Sequence, residues 1–267
     1  MGHLLFLLFY LVMMAVATLF AALGQGGGVL YTPVQLFFGF QFHVAATTSL
    51  FLIMVLSLAS TQVFRKAGLV DWPMAFVLES STTLGAFLGG LYSDHFSGRT
   101  LTYLFAGVIA VAAVFMIRRF RLDPKCEGAP SDFFHWARRV GDESYCINLG
   151  VGLPVAFVAG AASGLLGISG GILKVPMMVL LLGVPMNIAV GSSAFMVGLT
   201  ATGGFFGHVV AGHFDWKVAV ALAPGIFLGG HLGARRGVKV DKERMKHYFG
   251  YFLLALAALL VIRSVFK

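Results

Sequence analysis

Charge is scarce in these 267 residues: Asp, Glu, Lys and Arg together make up 11% of the chain, where soluble domains carry roughly 25%. With 58% hydrophobic residues and a mean hydropathy of +0.89, that excludes a soluble doubly wound or barrel enzyme. Cysteine is nearly absent. Cys126 and Cys146 share one polar segment, too few for a disulfide framework and without metal-ligand spacing. No G-x-x-x-x-G-K-[ST] loop is present, so no nucleotide-hydrolysing motor is visible. Neither Lys nor Arg precedes the first apolar stretch, Leu4–Leu23, which is also longer than a signal-peptide core; it is expected to stay in the mature protein. The formal charge is +8. The cations lie at the ends of apolar runs, so this charge reads as membrane orientation rather than nucleic-acid binding.

What is abundant is apolar sequence in runs near the ~20 residues that cross a bilayer. Leu4–Leu23 is followed by a glycine cluster and a short arm, Val29–Phe40. Spans are predicted at Val44–Phe64, Trp72–Tyr92 and Thr100–Ile117. A polar linker runs from Arg118 to Asn148. Leu149–Leu166 then leads into a second glycine cluster and a short arm, Ile172–Leu182. Spans at Ile188–Ala211, Trp216–Ala234 and Met245–Ile262 close the chain. Within the linker, Ser131 or Asp132 could cap a short helix, with Phe133, Phe134 and Trp136 beside Arg138 and Arg139 suited to the membrane surface.

The second half repeats the first. Pro33 matches Pro176 at an offset of 143, and one inserted residue shifts the offset to 144. Thr48-Ser49 then falls on Ser192-Ser193. Gly68, Asp71 and Trp72 fall on Gly212, Asp215 and Trp216. Gly85 and Gly89 fall on Gly229 and Gly233. Three blocks in one order indicate two homologous units: residues 1–117 and 149–267, joined by 118–148.

Charge decides how the units are oriented. If each glycine-broken segment crosses once, the basic residues divide 11 against 7. If each is a hairpin that leaves on the side it entered, they divide 14 against 4. The positive-inside rule prefers the hairpins. Both termini then lie outside, and the units are inverted. The expected architecture is all-α and polytopic: two inverted repeats, each a glycine-broken hairpin plus three transmembrane helices.

Broken helices survive in a bilayer only where protein or a polar cavity satisfies the freed backbone, and matched breaks point to a transporter's binding site. The first break is Gly24-Gln25-Gly26-Gly27-Gly28; the second is Gly167-Ile168-Ser169-Gly170-Gly171. A half-helix starting after each tip presents unpaired N–H groups and a positive dipole end to an anion. The candidate substrate contacts are Gln25, Gly26, Gly27 and Gly28 on the first tip and Ser169, Gly170 and Gly171 on the second. The hydroxyls of Thr48, Ser49, Ser192 and Ser193 join them. Lys174, one turn past the second break, either faces the anion or pairs with Glu79, the acidic residue well inside a span and the candidate for ion coupling. Tyr31 occupies the position matching Lys174. His208 and His231 read as packing residues.

The two glycine motifs, each followed by Pro, and the matching Asp-Trp blocks resemble the TauE/SafE anion exporters, also called the toluene-sulfonate uptake permeases. The resemblance covers the chain apart from the linker. It implies a multi-pass inner-membrane transporter that moves sulfite or C2 organosulfonates outward, coupled to an ion gradient, with the glycine motifs and Ser/Thr pairs as substrate contacts. No cofactor is expected. The expected partners are a small anionic substrate and the lipid bilayer; a homodimer is admissible and nucleic acid is not. The rival reading is a rhomboid-like intramembrane serine protease. Gly167-Ile168-Ser169-Gly170 satisfies G-x-S-G, and Ser169 with His208 would supply the dyad. Against it, Ser169 matches Gly26, so duplication already accounts for the motif.

Overall fold

The computed structural model describes residues 3–40, 42–91, 134–166, 171–210 and 214–241, with scattered positions in 107–117 and 244–258. Most of the predicted span Thr100–Ile117, part of Met245–Ile262, residues 118–133 of the linker, and residues 167–170 of the second break, Ser169 and Gly170 among them, therefore lie outside the described residues. Eight α-helices and one β-hairpin are described. They are α1 (His3–Ala22), α2 (Gly28–Phe37), α3 (Phe42–Lys66), α4 (Trp72–Leu91), β1 (His135–Val140), β2 (Glu143–Asn148), α5 (Leu149–Leu166), α6 (Gly171–Pro176), α7 (Met186–Val210) and α8 (Trp216–Lys239). A π-helical turn, Met177–Leu181, extends α6.

Four of these helices are long and apolar enough to cross a membrane: Leu4–Ala22, Thr47–Lys66, Met186–Phe206 and Trp216–Lys239. α1 shows why such a helix needs lipid. Phe9, Met13, Ala17, Phe20 and Ala21 are buried on one side, while Leu4, Leu7, Leu8, Leu11 and Leu19 are exposed on the other. Both stripes follow the helical period. An apolar face of that extent is stable against hydrocarbon and not against water.

Both glycine breaks begin hairpins. α1 ends at Gly24, which takes φ +67°. The Gly24 N–H donates to the Ala21 carbonyl and the Gln25 N–H to the Phe20 carbonyl, the paired 5→2 and 6→1 bonds of a glycine helix stop. The chain then turns back. The Phe9 ring lies 4.8 Å from Phe38 and 5.4 Å from Phe40, so α2 returns along α1. In the second half Leu182 returns to Gly152, near the start of α5.

Glycine sets the helix packing. Along α1 and α8, Gly225 meets Tyr10, Gly229 meets Met14, Gly233 meets Thr18 and Gly237 meets Ala22, so these helices run parallel. Gly85 of α4 presses on the Phe157 carbonyl of α5, and Gly160 of α5 on the Thr82 carbonyl of α4. The repeat offsets carry the pair Gly85–Phe157 onto Gly229–Met14. The duplicated glycines thus make matching contacts, the close helix approach that small residues permit. α3 and α7 cross antiparallel between these pairs: the Ser57 hydroxyl donates to the Ala194 carbonyl at 2.6 Å, and Phe51 meets Phe205.

The linker corrects one expectation. His135 to Val140, placed within a surface helix by the sequence, form a strand paired antiparallel with Glu143–Asn148, Arg138 opposite Tyr145. The reason is local. Gly141 turns the chain with φ +59°, and burial alternates along β1 so that Trp136, Arg138 and Val140 face inward. That period of two is a strand's, not a helix's. Ser131, Asp132 and Phe133 lie outside the described residues.

The α4–α5 contact allows no added carbon. A Cβ at Gly85 would lie 2.1 Å from the Phe157 carbonyl oxygen, whereas one at Gly203 would meet nothing within 4 Å. Gly85→Ala is expected to destabilise the detergent-solubilised protein by about 1–3 kcal/mol, read as a lowered unfolding temperature. Gly203→Ala serves as the neutral control.

Candidate functional site

The two breaks meet. A Cβ built on Gly171, the first residue of α6, would lie 3.4 Å from the Gly26 nitrogen and 3.5 Å from Gln25 Cα. On its other side it would lie 2.8 Å from a Val197 methyl, so α7 backs the junction. The first tip also touches α7, where Gly24 presses on the Val190 carbonyl. Val190, Ser193, Val197 and Thr200 stand at i, i+3, i+7 and i+10 on α7, hence on one face. Ser193 sits between the two points where the tips touch this helix.

The first tip is strained open by glycine. Gly27 takes φ +69°, and a Cβ there would lie 2.7 Å from Tyr31 Cζ and 3.0 Å from its hydroxyl. Tyr31 therefore lays its ring over the tip backbone. The polar groups here are buried and unpaired. Both amide atoms of Gln25, the Tyr31 hydroxyl and the Ser193 hydroxyl have no hydrogen-bond partner, and all three residues are at most 3% exposed. Each such group costs about 1–3 kcal/mol if nothing satisfies it. Unsatisfied polar atoms on both sides of one junction mark a place that water or a ligand completes.

One turn beyond Gly171 stands Lys174, fully buried. Its ammonium donates to Glu79 Oε2 at 2.6 Å and to the Thr200 hydroxyl at 2.6 Å. The Thr200 hydroxyl lies within hydrogen-bond reach of Glu79 Oε1, and the Thr83 hydroxyl donates to that same oxygen at 3.2 Å. Of the two roles open to Lys174, the structure displays the pairing. α4, α6 and α7 each contribute to the cluster, which ties the two halves together beside the tips.

The predicted hydroxyls separate. Ser49 accepts from Gln35 at 2.8 Å and from Thr32 at 3.0 Å, inside the α2–α3 contact. Ser192 accepts from the Asp71 N–H at 3.0 Å. Thr48 is buried with an unpartnered hydroxyl, but no described contact links it to the tips. Gly28 opens α2 behind the first tip. The side chain of His208 lies outside the described residues, as does Ser169.

Sequence reasoning missed two members of this neighbourhood. Tyr31 was noted only as the counterpart of Lys174. Thr200 was not singled out, although its place seven residues after Ser193 puts both on one helix face. The matched Asp-Trp blocks are helix caps: Asp71 accepts from the Met74 N–H at the start of α4, and Asp215 from the Lys217 and Val218 N–H groups at the start of α8.

Asp71 does more than its counterpart. Arg138 of β1 grips it with two hydrogen bonds, 2.9 and 2.7 Å, and Tyr145 of β2 donates to it at 2.6 Å. Arg138 also lies 4.6 Å from the Trp136 ring centre. The linker hairpin is thereby fastened to the head of α4. Burial pushes the Asp71 carboxyl upward, but the hydrogen bonds from Arg138, Tyr145 and the Met74 N–H outweigh it and hold the group below its ordinary value. Burial and the bond to Asp71 push the Tyr145 phenol up.

Long apolar helices tied across the halves by a buried ion pair are those of a polytopic membrane protein, and its family and relatives make it a transporter rather than an enzyme. The chain belongs to the sulfite exporter TauE/SafE family, whose family model matches residues 9–260. It is 28% identical over 259 residues to the probable membrane transporter protein YunE of Bacillus subtilis, covering 94% of this chain and 95% of that one. It is 29% identical over 249 residues to a probable membrane transporter protein of Xylella fastidiosa strain Temecula1, with 91% and 89% covered. A probable membrane transporter protein of Haemophilus influenzae is 32% identical over 274 residues, with 94% and 97% covered. No solved structure matches. Membership of this family sets aside the protease reading built on Ser169 and His208. The protein acts on a small-molecule substrate within membrane lipid.

Two outcomes follow from the polar clusters. Removing one partner of a buried ion pair costs about 3–5 kcal/mol, whereas replacing both by apolar residues is often neutral. Glu79→Gln and Lys174→Met are each expected to lower the denaturation midpoint in detergent strongly, and Glu79→Leu combined with Lys174→Met to restore most of it. For Asp71, the lowered folded-state value means the unfolded chain binds the proton more readily, so the stability it supplies is present above the unfolded value and lost as pH falls through the folded one. Protease cleavage within residues 134–148 should rise as pH drops below ~4. Asp71→Asn should flatten that rise.

Proposed function

We propose that this protein exports small sulfur-containing anions, sulfite or C2 organosulfonates, by alternating access around the junction of the two glycine tips. The observation that carries the reading is the contact of Gly171 with Gln25 and Gly26, beside buried polar atoms that lack partners. The substrate contacts are Gln25, Gly26, Gly27 and Gly28 with Ser169, Gly170 and Gly171, assisted by Ser193 and Lys174. Thr48, Ser49 and Ser192 support the helices that carry them. The half-helices after each tip supply N–H donors and positive dipole ends to the oxyanion.

Residues 1–117 and 149–267 act as inverted repeats joined by 118–148. The antiparallel crossing of α3 and α7 supports this, as do the matched glycine contacts on either side of it. Both termini lie outside the inner membrane, and the basic linker lies in the cytoplasm. Glu79 carries the coupling proton. When Glu79 is neutralised, Lys174 turns its charge to the anion; when the anion leaves, the pair re-forms. Each state keeps the buried charge balanced, as a low-dielectric interior requires.

Reconstituted proteoliposomes loaded with labelled sulfite or taurine test this. Gly27→Val replaces a left-handed glycine under the Tyr31 ring, and Gly170→Val alters the second tip. Both are expected to reduce efflux to the level of empty vesicles while the protein still elutes as a folded species. Normal efflux in both variants would remove the tips from the mechanism. Glu79→Gln is expected to abolish the response of efflux to an imposed pH gradient.

A further inference from the structure

We infer that Tyr31 is a ligand-binding residue and that the tip junction takes a singly charged oxyanion in preference to a doubly charged one of the same shape. The inference rests on the anion-transport reading and narrows it.

The Tyr31 hydroxyl lies at the first tip, over Gly27. The residue is fully buried and the hydroxyl has no partner. A buried phenol ordinarily finds one. On the other flank of Gly27, Gln25 keeps both its amide nitrogen and its amide oxygen unpaired, and Ser193 offers its hydroxyl from α7. These groups are polar, buried and uncharged; Gln25 and Tyr31 belong to the first tip, and Ser193 lies on the α7 face between the residues that touch the tips.

Charge is already balanced around them. Among the described residues the buried ionisable side chains of acidic or basic type are Asp71, Glu79 and Lys174. Asp71 is held by Arg138 at the head of α4, and Lys174 is matched one to one by Glu79. Uncharged donors can carry one negative charge by hydrogen bonding. A second charge meets no further countercharge among the described buried residues, and the desolvation cost of an ion grows with the square of its charge. Freeing Lys174 by neutralising Glu79 supplies one positive charge, which again balances one negative charge and not two. The amide oxygen of Gln25 adds an acceptor that disfavours further negative charge.

Methanesulfonate and sulfate present similar tetrahedral oxyanion heads and differ by one charge. Titration calorimetry on the purified full-length protein in detergent is expected to give a dissociation constant for methanesulfonate about tenfold or more below that for sulfate. Tyr31→Phe keeps the ring over Gly27 and removes only the hydroxyl. It should weaken methanesulfonate binding about tenfold with the unliganded unfolding temperature unchanged. Sulfate binding as tightly as methanesulfonate would overturn the charge preference. Native affinity in Tyr31→Phe would overturn the role of Tyr31 and leave the anion site standing. Heat from neither anion would overturn both, together with the anion-transport reading.

Discussion

Two helix breaks inside a bilayer have to be hidden from lipid, and here the first tip lies against the start of α6, just past the second break. Exposed N–H and C=O groups find no water in hydrocarbon. The first tip closes its α1 end with its own turn bonds and lies against Gly171. The rest of the arrangement follows from this contact. α7 passes behind both tips, and the residues that touch them there, Val190 and Val197, are β-branched. α3 must cross α7 closely, which the Ser57 bond to Ala194 and the small Gly198 beneath it permit. The glycines of α4, α5 and α8 let the outer helices close in on this centre.

The ion pair is the second constraint. A lone buried lysine in a membrane would be untenable. Lys174, Glu79 and Thr200 come from three helices, so the pair also registers one half against the other. Such a pair contributes little net stability but penalises arrangements that separate its members.

The linker hairpin belongs to the same logic. Asp71 is both the cap of α4 and the anchor of Arg138 and Tyr145, while its backbone N–H reaches Ser192 on α7. One residue thus joins the connector and the head of α4 through its carboxylate and the second half through its backbone N–H. Its counterpart Asp215 caps α8 within its own helix. Both duplicated aspartates cap a helix, and the first also anchors the hairpin.

Much of this was legible in the chain. Apolar run length determined the spanning helices, because hydrocarbon thickness is the same demand on every segment. Glycine spacing determined the breaks, and the duplicated Gly85 and Gly229 determined close packing, because those are local or pairwise demands. The linker strand is hard to read because aromatic and basic residues suit both a surface helix and a strand; Gly141 turns the hairpin locally, and Asp71, 67 residues from Arg138, fastens it. The hydroxyl pairs look equivalent in sequence, yet Ser49 and Ser192 serve packing while the Ser193 hydroxyl is left unpartnered. Which way a hydroxyl points depends on the helix opposite. The sequence by itself determined that this protein spans a membrane with two broken helices. Only the tertiary structure decided that Lys174 answers to Glu79 and Thr200, and that Tyr31 and Gln25 are left unpaired, because partners that far apart in the chain are chosen by packing.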